Sequence, residues 1–325
     1  MKIPILTTED RILVIGDVML DSYLWGSVSR VSPEAPVPVV KLENSTTSCG
    51  GAANVAANIA GMGGHPVLIG CIGDDDHGKQ MPELLELCNV YAGRLVVDSD
   101  RPTTVKTRIL AQGQQIARVD RENSDQVTGT IEMQLLEQIA RSIKDIKTVV
   151  FSDYAKGVVT DRVLKETFGL ANAAGIPVIV DPKGTDYLRY AGGTVVTPNR
   201  REAAEACSLT ESVSDVVNLS GTRLVEKLGS VSVLITEGEH GMTLFTKEDP
   251  PVHFEASARD VYDVTGAGDT VVAALGVATA AGFDLATACE FANNAAGVAV
   301  EHVGTTIVTT EMIHVRMEDE KTFVA

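Results

Sequence analysis

Residues 11–17 read Arg-Ile-Leu-Val-Ile-Gly-Asp, a short apolar run that stops at Gly16-Asp17. A run of that length, apolar without alternation, predicts a strand buried on both faces of a parallel sheet. Residues 66–73 repeat the pattern. Beyond residue 130 the alternation becomes regular: helix 131–143, strand 148–152, helix 162–174, strands 177–181 and 194–197, helices 201–207 and 216–228, strand 231–236. Strands alternating with helices predict a mostly parallel α/β sheet covered on both faces. The apolar run 271–281 predicts a further buried helix.

Two segments break this rhythm. Pro33, Pro36 and Pro38 precede Val39-Val40-Lys41-Leu42, and proline favours sheet edges and extended chain. Residues 103–120 alternate as a hairpin with Gln112-Gly113-Gln114 at its turn. Together they predict a second, smaller sheet, a lid built from about 24–47 and 103–121. Cys49-Gly50-Gly51 opens a small-residue helix to about Met62, and Pro82 is expected in the first turn of a helix ending at Cys88. No internal repeat is visible, so a single domain over 1–325 is expected.

Composition narrows the function. Hydrophobic residues make up 44% of 325, enough for a large core, while the net charge is −17. That excess of acid argues against nucleic-acid or anionic-membrane surfaces, which are met with lysine and arginine. It leaves room for small phosphorylated ligands, which need only a local basic pocket. No stretch of 18 apolar residues occurs and the first ten residues hold no signal-peptide core, so a cytoplasmic location is expected. Cys49, Cys71, Cys88, Cys207 and Cys289 are scattered, which fits reduced thiols and not a disulfide frame or a zinc site.

The chemistry concentrates in Asp263-Val264-Thr265-Gly266-Ala267-Gly268-Asp269-Thr270. Glycines permit a tight turn, and the free N–H groups of a helix start make an anion site. An acid placed against a phosphate needs a task; taking the proton of an attacking alcohol is one, capping the helix is the plainer alternative. Polar residues also follow the apolar strands, as in Ser152-Asp153-Tyr154, Asp181-Pro182-Lys183, Thr197-Pro198-Asn199 and Thr236-Glu237-Gly238. In open α/β sheets ligands bind outside the carboxyl ends of the strands, so these groups and Asp17 converge on one rim.

With Gly50-Gly51-Ala52-Ala53-Asn54 and Asp263 to Asp269, the chain resembles the ribokinase-like (PfkB) family of sugar kinases from Ile12 to about Val308. The resemblance implies a three-layer α/β fold with a β-sheet lid, ATP and Mg²⁺. The stretches 16–21, 29–40, 152–157 and 181–186 look like one branch of it. That branch phosphorylates the C1 hydroxyl of D-glycero-β-D-manno-heptose 7-phosphate, giving the 1,7-bisphosphate used for ADP-heptose and lipopolysaccharide; Val31 stands where it often has Ile. Many of its members are fused to an adenylyltransferase with a His-x-Gly-His motif, which is absent here, so a separate adenylyltransferase is expected.

Carried onto this sequence, the resemblance implies Asp269 as base, with the backbone N–H groups of Ala267, Gly268 and Asp269 forming the anion hole and Gly266 completing the catalytic turn. Asp17, Asp21, Gly50, Gly51, Asn54 and Asp153 would meet the sugar. Arg108, Lys156 and Lys183 are the candidate cations for its phosphate, although a solitary lysine or arginine is more often a solvated surface charge. Asn199 and Glu202 match an Asn-x-x-Glu pattern that organises Mg²⁺, Glu202 through water; the same residues would equally make a capping box. Thr236, Gly238, Gly241 and Asp263 would frame the nucleotide, with Asn294 and Val298 beside adenine. Some members hold K⁺ around Asp263 and Gly304-Thr305, a point the sequence leaves open. Their lid sheets often pair between subunits, which implies a homodimer. Two other readings stand beside this one: another sugar kinase of the same fold, and a non-catalytic sugar- or nucleotide-binding regulator. A dinucleotide dehydrogenase is disfavoured, since no Gly-x-Gly-x-x-Gly follows the first strand.

Overall fold

In β1 (Arg11–Gly16), Ile12 and Val14 enter one core while Leu13 and Ile15 enter another. Successive strand side chains point to opposite faces, so an unbroken apolar run requires a layer on each side. The computed structural model, which describes residues 2–258, 261–302 and 304–323, supplies both layers.

The chain leaves the main sheet at once through β2 (Val18–Val31) and β3 (Pro38–Gly51), then enters α1 (Ala52–Gly61) and β4 (His65–Ile69). β5 (Cys71–Gly73), α2 (Asp76–Leu87) and β6 (Val96–Asp98) lead to β7 (Thr104–Ala111) and β8 (Gln114–Arg121). The second half runs α3 (Gly129–Ser142), β9 (Ile146–Ser152), α4 (Asp161–Ala174), β10 (Val178–Asp181), β11 (Val195–Val196), α5 (Arg200–Ala206), α6 (Val216–Leu228) and β12 (Ser232–Thr236). β13 (Met242–Phe245), β14 (Val252–Phe254), α7 (Ala267–Ala280), α8 (Leu285–Val300) and α9 (Thr310–Phe323) complete it. The eight-stranded sheet has the order β14-β13-β12-β11-β10-β9-β1-β4, parallel from β12 to β4 and antiparallel at β13 and β14. These last two strands extend it beyond the elements that the pattern predicts. α7 is apolar nearly all round, as a helix enclosed on every side must be.

The small sheet has the order β3-β2-β7-β8. It is larger than expected because β2 and β3 each run for 14 residues. Most of their side chains are half-buried or exposed, so the hydrophobic alternation that marks a strand is faint. The proline-rich segment is their hairpin loop, closed by Ser32 N–H to the Val37 carbonyl at 2.9 Å. Gln112 and Gly113 both take positive φ (53° and 78°), the two-residue turn whose twist suits a hairpin.

Two local expectations need correction. Residues 66–73 form two strands, not one. β4 ends at Ile69, and β5 pairs with β6 in a separate ribbon. Gly70 lies at the break, where a Cβ would meet Val18 Cγ2 at 2.5 Å and the Gly16 carbonyl oxygen at 2.8 Å. Pro82 lies in the interior of α2, because the helix starts earlier, at an Asp75 side chain that accepts the Gly78 N–H at 2.8 Å.

The turn from β3 into α1 fixes how the small sheet joins the large one. Gly51 has φ +55°, and a Cβ there would stand 2.5 Å from the Asp17 carbonyl oxygen and 2.7 Å from Met19 Cε. Gly51→Ala is expected to lower stability by about 2 kcal/mol or more, read as a lower urea midpoint at unchanged slope. An unchanged midpoint would mean that this turn relaxes freely.

Candidate active site

The parallel strands β1, β9, β10 and β12 end on one edge, and the residues just past them line two adjoining cavities. One, of about 220 Å³, is bounded by Tyr154, Asp181, Lys183, Asn199, Glu202 and Gly268 among others. The other, of about 430 Å³, is bounded by Gly238, Gly241, Val264, Ala267, Asn293 and Gly297 among others. Thr236, Gly268 and Val271 belong to both, so the start of α7 is the partition between them.

That start is held by Gly266, in the left-handed region at φ 81°, as N-cap. The first bond back into the helix runs from the Thr270 N–H to the Gly266 carbonyl, which leaves the N–H groups of Gly268 and Asp269 without helical acceptors. Ala267 departs from the expected anion hole, since its N–H turns back to the Val264 carbonyl at 3.3 Å. At Gly268 a Cβ would meet nothing within 4 Å and would stand in the open cleft.

Asp269 is buried, 4% exposed. Asn54 Nδ2 donates to its Oδ2 at 2.7 Å and the Tyr154 hydroxyl to its Oδ1 at 2.6 Å. Burial pushes the carboxyl up to about 6, opposed by those two donors and helped by the charge of Asp21. Asn54 is braced by Asn58, whose Nδ2 reaches the Asn54 carbonyl and Oδ1 at 3.0 and 3.2 Å. Tyr154 was absent from the expected site residues, although it sits in the quoted Ser152-Asp153-Tyr154 strand ending.

On the small-sheet side, Asp21 accepts from Arg108 Nη1 at 2.5 Å, and the guanidinium lies 5.3 Å from the Tyr23 ring centroid. Gly50 makes room for this acid, since a Cβ there would be 2.5 Å from Asp21 Oδ2. Lys156 Nζ reaches Glu122 at 2.8 Å, and Lys106, unnoticed in the sequence, shares the same carboxylate at 3.3 Å. The β2–β7 register, Asp21 beside Lys106 and Tyr23 beside Arg108, groups these side chains.

Asp17 and Asp153 were expected on the sugar, but the structure turns both carboxylates inward. Asp17 accepts the backbone N–H groups of Tyr154, Lys156 and Val158 at 2.8, 3.0 and 3.0 Å. Asp153 accepts from Ala155 N–H and the Tyr190 hydroxyl, both at 2.8 Å. Burial raises both carboxyls above their ordinary range. Asp17 serves the 153–158 loop, because buried N–H groups must find acceptors, while Asp153 ties that loop to Tyr190 and Arg189. Asp263 likewise serves its own loop, accepting from Thr265 N–H and Oγ1 and from Gly304 N–H.

In the smaller cavity Lys183 Nζ pairs with Glu202 Oε1 at 2.7 Å. Asn199 and Glu202 complete the capping box of α5. Asp181 was not among the expected site residues. Its carboxylate has no hydrogen-bond partner among the described residues, and burial together with the charges of Asp269 and Glu202 lifts it well above the ordinary range. A free carboxylate beside Glu202 and Asn199 offers hard oxygen donors of the kind Mg²⁺ prefers, and Mg²⁺ keeps most of its waters. In the larger cavity the expected Asn294 and Val298 are each one position off. Asn293, Ala296, Gly297 and Val300 form the lining stripe of α8, whereas Asn294 turns to the Glu290 carbonyl and Val298 is buried in the core. One residue rotates a helix by about 100°, which carries a side chain off the face. Thr236, Gly238 and Gly241 do line this cavity.

A fold of this topology, with a buried acid opening a helix between two cavities, defines a class. The chain belongs to the pfkB family of carbohydrate kinases, whose family model matches residues 9–312. It is therefore a phosphotransferase with an alcohol group as acceptor. Among curated relatives it is 44% identical over 311 residues to the bifunctional protein HldE of Caulobacter sp. strain K31, covering 95% of this chain and 63% of that one. It is also 44% identical over 302 residues to the bifunctional protein HldE of Photobacterium profundum, covering 93% and 62%. The chain thus spans less than two thirds of the length of these relatives. Among solved structures, Arabidopsis thaliana ribokinase complexed with ribose and ATP superposes with TM-score 0.76 at 22% identity, covering 94% of this chain and 98% of that one. Phosphofructokinase-2 from Escherichia coli in complex with potassium gives 0.76 at 19%, covering 95% and 98%. At such identities these two establish the ribokinase-like fold alone.

The Asp17 cradle generates its own test. Asp17→Asn replaces one acceptor oxygen by an amide that faces an N–H donor. Stability is expected to fall by about 1–3 kcal/mol, with faster hydrogen exchange at the Tyr154, Lys156 and Val158 amides. Wild-type exchange at all three would show that the loop holds without the carboxylate.

Proposed function

We propose that this chain is an ATP-dependent kinase of D-glycero-β-D-manno-heptose 7-phosphate, acting on the C1 hydroxyl to give the 1,7-bisphosphate. The observation that carries the phosphoryl-transfer reading is the placement of Asp269: buried, without an ion-pair partner among the described residues, and beside the free N–H of Gly268. The heptose assignment rests on the shared name of the relatives and on the sequence stretches that resemble that branch.

On this reading Asp269 takes the proton of the C1 hydroxyl while that oxygen attacks the γ-phosphorus and the bond to the bridging oxygen of ADP breaks. The Gly268 and Asp269 N–H groups face the transferring phosphoryl group. The larger cavity, lined by small and apolar residues, takes the nucleoside end of ATP. Asp181 and Glu202 would hold Mg²⁺, which supplies charge neutralisation at the phosphates when bound. Arg108, Lys106 and Lys156 lie on the small-sheet side and would meet the 7-phosphate, while Lys183, tied to Glu202, belongs with the nucleotide. Small-sheet closure would exclude water from the transfer. A downstream adenylyltransferase would draw on the product. The strands of the small sheet carry the exposed apolar residues Val31, Leu42 and Val119, which favour a homodimer through it.

Turnover with Mg²⁺ and ATP is expected on the heptose 7-phosphate, with a new anomeric phosphate signal in phosphorus NMR and none on fructose 6-phosphate or ribose. Turnover on another sugar alone would sink the heptose assignment and keep the kinase. Asp269→Asn is expected to lose at least ~100-fold in kcat. Because the base must be ionised and burial raises its carboxyl to about 6, kcat/KM should fall tenfold per pH unit below about 6 and level off above it. A separate light-scattering measurement at micromolar concentration is expected to give twice the monomer mass; a monomer would remove the dimer.

A further inference from the structure

We propose that Tyr154 is a positioning residue for Asp269: its hydroxyl holds the anionic carboxylate turned into the cleft, ready to accept a proton. This deepens the kinase reading and rests on it. Three features of the structure lead there. The hydroxyl is 2.6 Å from Asp269 Oδ1, and Asp269 is its hydrogen-bond partner. The bond is not needed to place the loop that carries Tyr154, because the Tyr154, Lys156 and Val158 N–H groups are already anchored on Asp17. Tyr154 also lines the cavity that Gly268 borders, so it links the cavity wall to Asp269.

The chemistry of the donor suits a base. A lysine or arginine in this place would neutralise the carboxylate and blunt its affinity for a proton. A neutral hydroxyl stabilises the anion through one hydrogen bond and leaves lone pairs on both oxygens for a sugar hydroxyl. Asn54 does the same from α1 at Oδ2. The titratable groups around Asp269 are Asp21 on β2, which is paired with Arg108, Asp181 at the end of β10, and Tyr154 itself. Burial and the negative charges of Asp269 and Asp181 lift the Tyr154 phenol well above its ordinary range, so it remains a donor wherever the enzyme works.

Tyr154→Phe removes the donor and keeps the ring. In full-length protein labelled with ¹³C at the aspartate carboxyls, with the Asp269 signal assigned by its loss in Asp269→Asn, the Asp269 midpoint is expected to rise by about one pH unit. The acid limb of kcat/KM should rise with it, while KM for ATP stays unchanged. Where the Phe variant fails to fold, 2,3-difluorotyrosine installed at 154 keeps the shape and strengthens the donor, and should move the midpoint down. An Asp269 midpoint equal to wild type in the folded variant overturns the proposal. The carboxyl titration needs no substrate, so a shifted midpoint without turnover on any sugar would overturn the kinase reading and leave the Tyr154–Asp269 coupling standing.

Discussion

Keeping a carboxylate charged inside the protein without a cation beside it is the constraint around which this structure is arranged. Desolvation alone would neutralise Asp269. Three things oppose it. α7 begins there, with the positive end of its dipole and unbonded N–H groups. Asn54 donates from α1, and Tyr154 from the loop after β9. Each donor depends on a further layer: Asn54 on Asn58, whose Oδ1 takes the Val308 N–H at 3.0 Å, and Tyr154 on the Asp17 cradle at the end of β1. The acid is therefore tied to the sheet, to two helices and to the segment before α9, and a shift in any of them reaches it.

The same layering explains why acids at strand ends are so frequent and why so few of them face the cleft. Asp17, Asp153 and Asp263 each satisfy backbone N–H groups of a loop that the parallel sheet leaves outside its ladders. A loop that must approach a ligand cannot use water for every donor, so side-chain carboxylates take the role. In a chain of net charge −17 much of the acid near the rim is internal scaffolding. Asp181 is the exception, a carboxylate with no hydrogen-bond partner among the described residues, in a cavity that also holds Glu202 and Lys183.

The fold was legible wherever burial was two-sided. The runs at β1, β9, β10 and β12 are apolar without alternation and were located to within a residue or two. β2 was not, because its side chains are divided between a polar, aromatic face with Asp21, Tyr23 and Trp25 and an aliphatic one, and neither is fully covered. β13 and β14 are short, and lie at the open edge of the sheet. Within the site, Asp269 and the glycines around it were legible because backbone geometry demands glycine there. Tyr154 and Lys106 were not. A tyrosine hydroxyl aimed at an acid 115 residues away, and a lysine brought in by strand register, leave no local signal. Asn294 and Val298 came from the family resemblance, and which face of α8 lines the cavity is set by its packing, which leaves no local signal.

The cations near the rim give the electrostatics a final asymmetry. Each has an acidic partner: Lys156 and Lys106 share Glu122, Lys183 has Glu202, and Arg108 has Asp21. These pairs differ in how readily a phosphate could replace the carboxylate. The Lys183 side chain is 46% exposed, and an exposed pair contributes at most about 1 kcal/mol, so a phosphate dianion outcompetes it easily. Arg108 and Asp21 are 15% and 7% exposed, and parting them would strand a buried charge. On the kinase reading Lys183 therefore trades partners when a phosphate arrives, while Arg108, like the half-buried Lys106 and Lys156, meets the 7-phosphate without leaving its carboxylate. On that reading an acidic protein binds phosphorylated ligands without a standing positive field, since each rim cation is already in place beside a carboxylate.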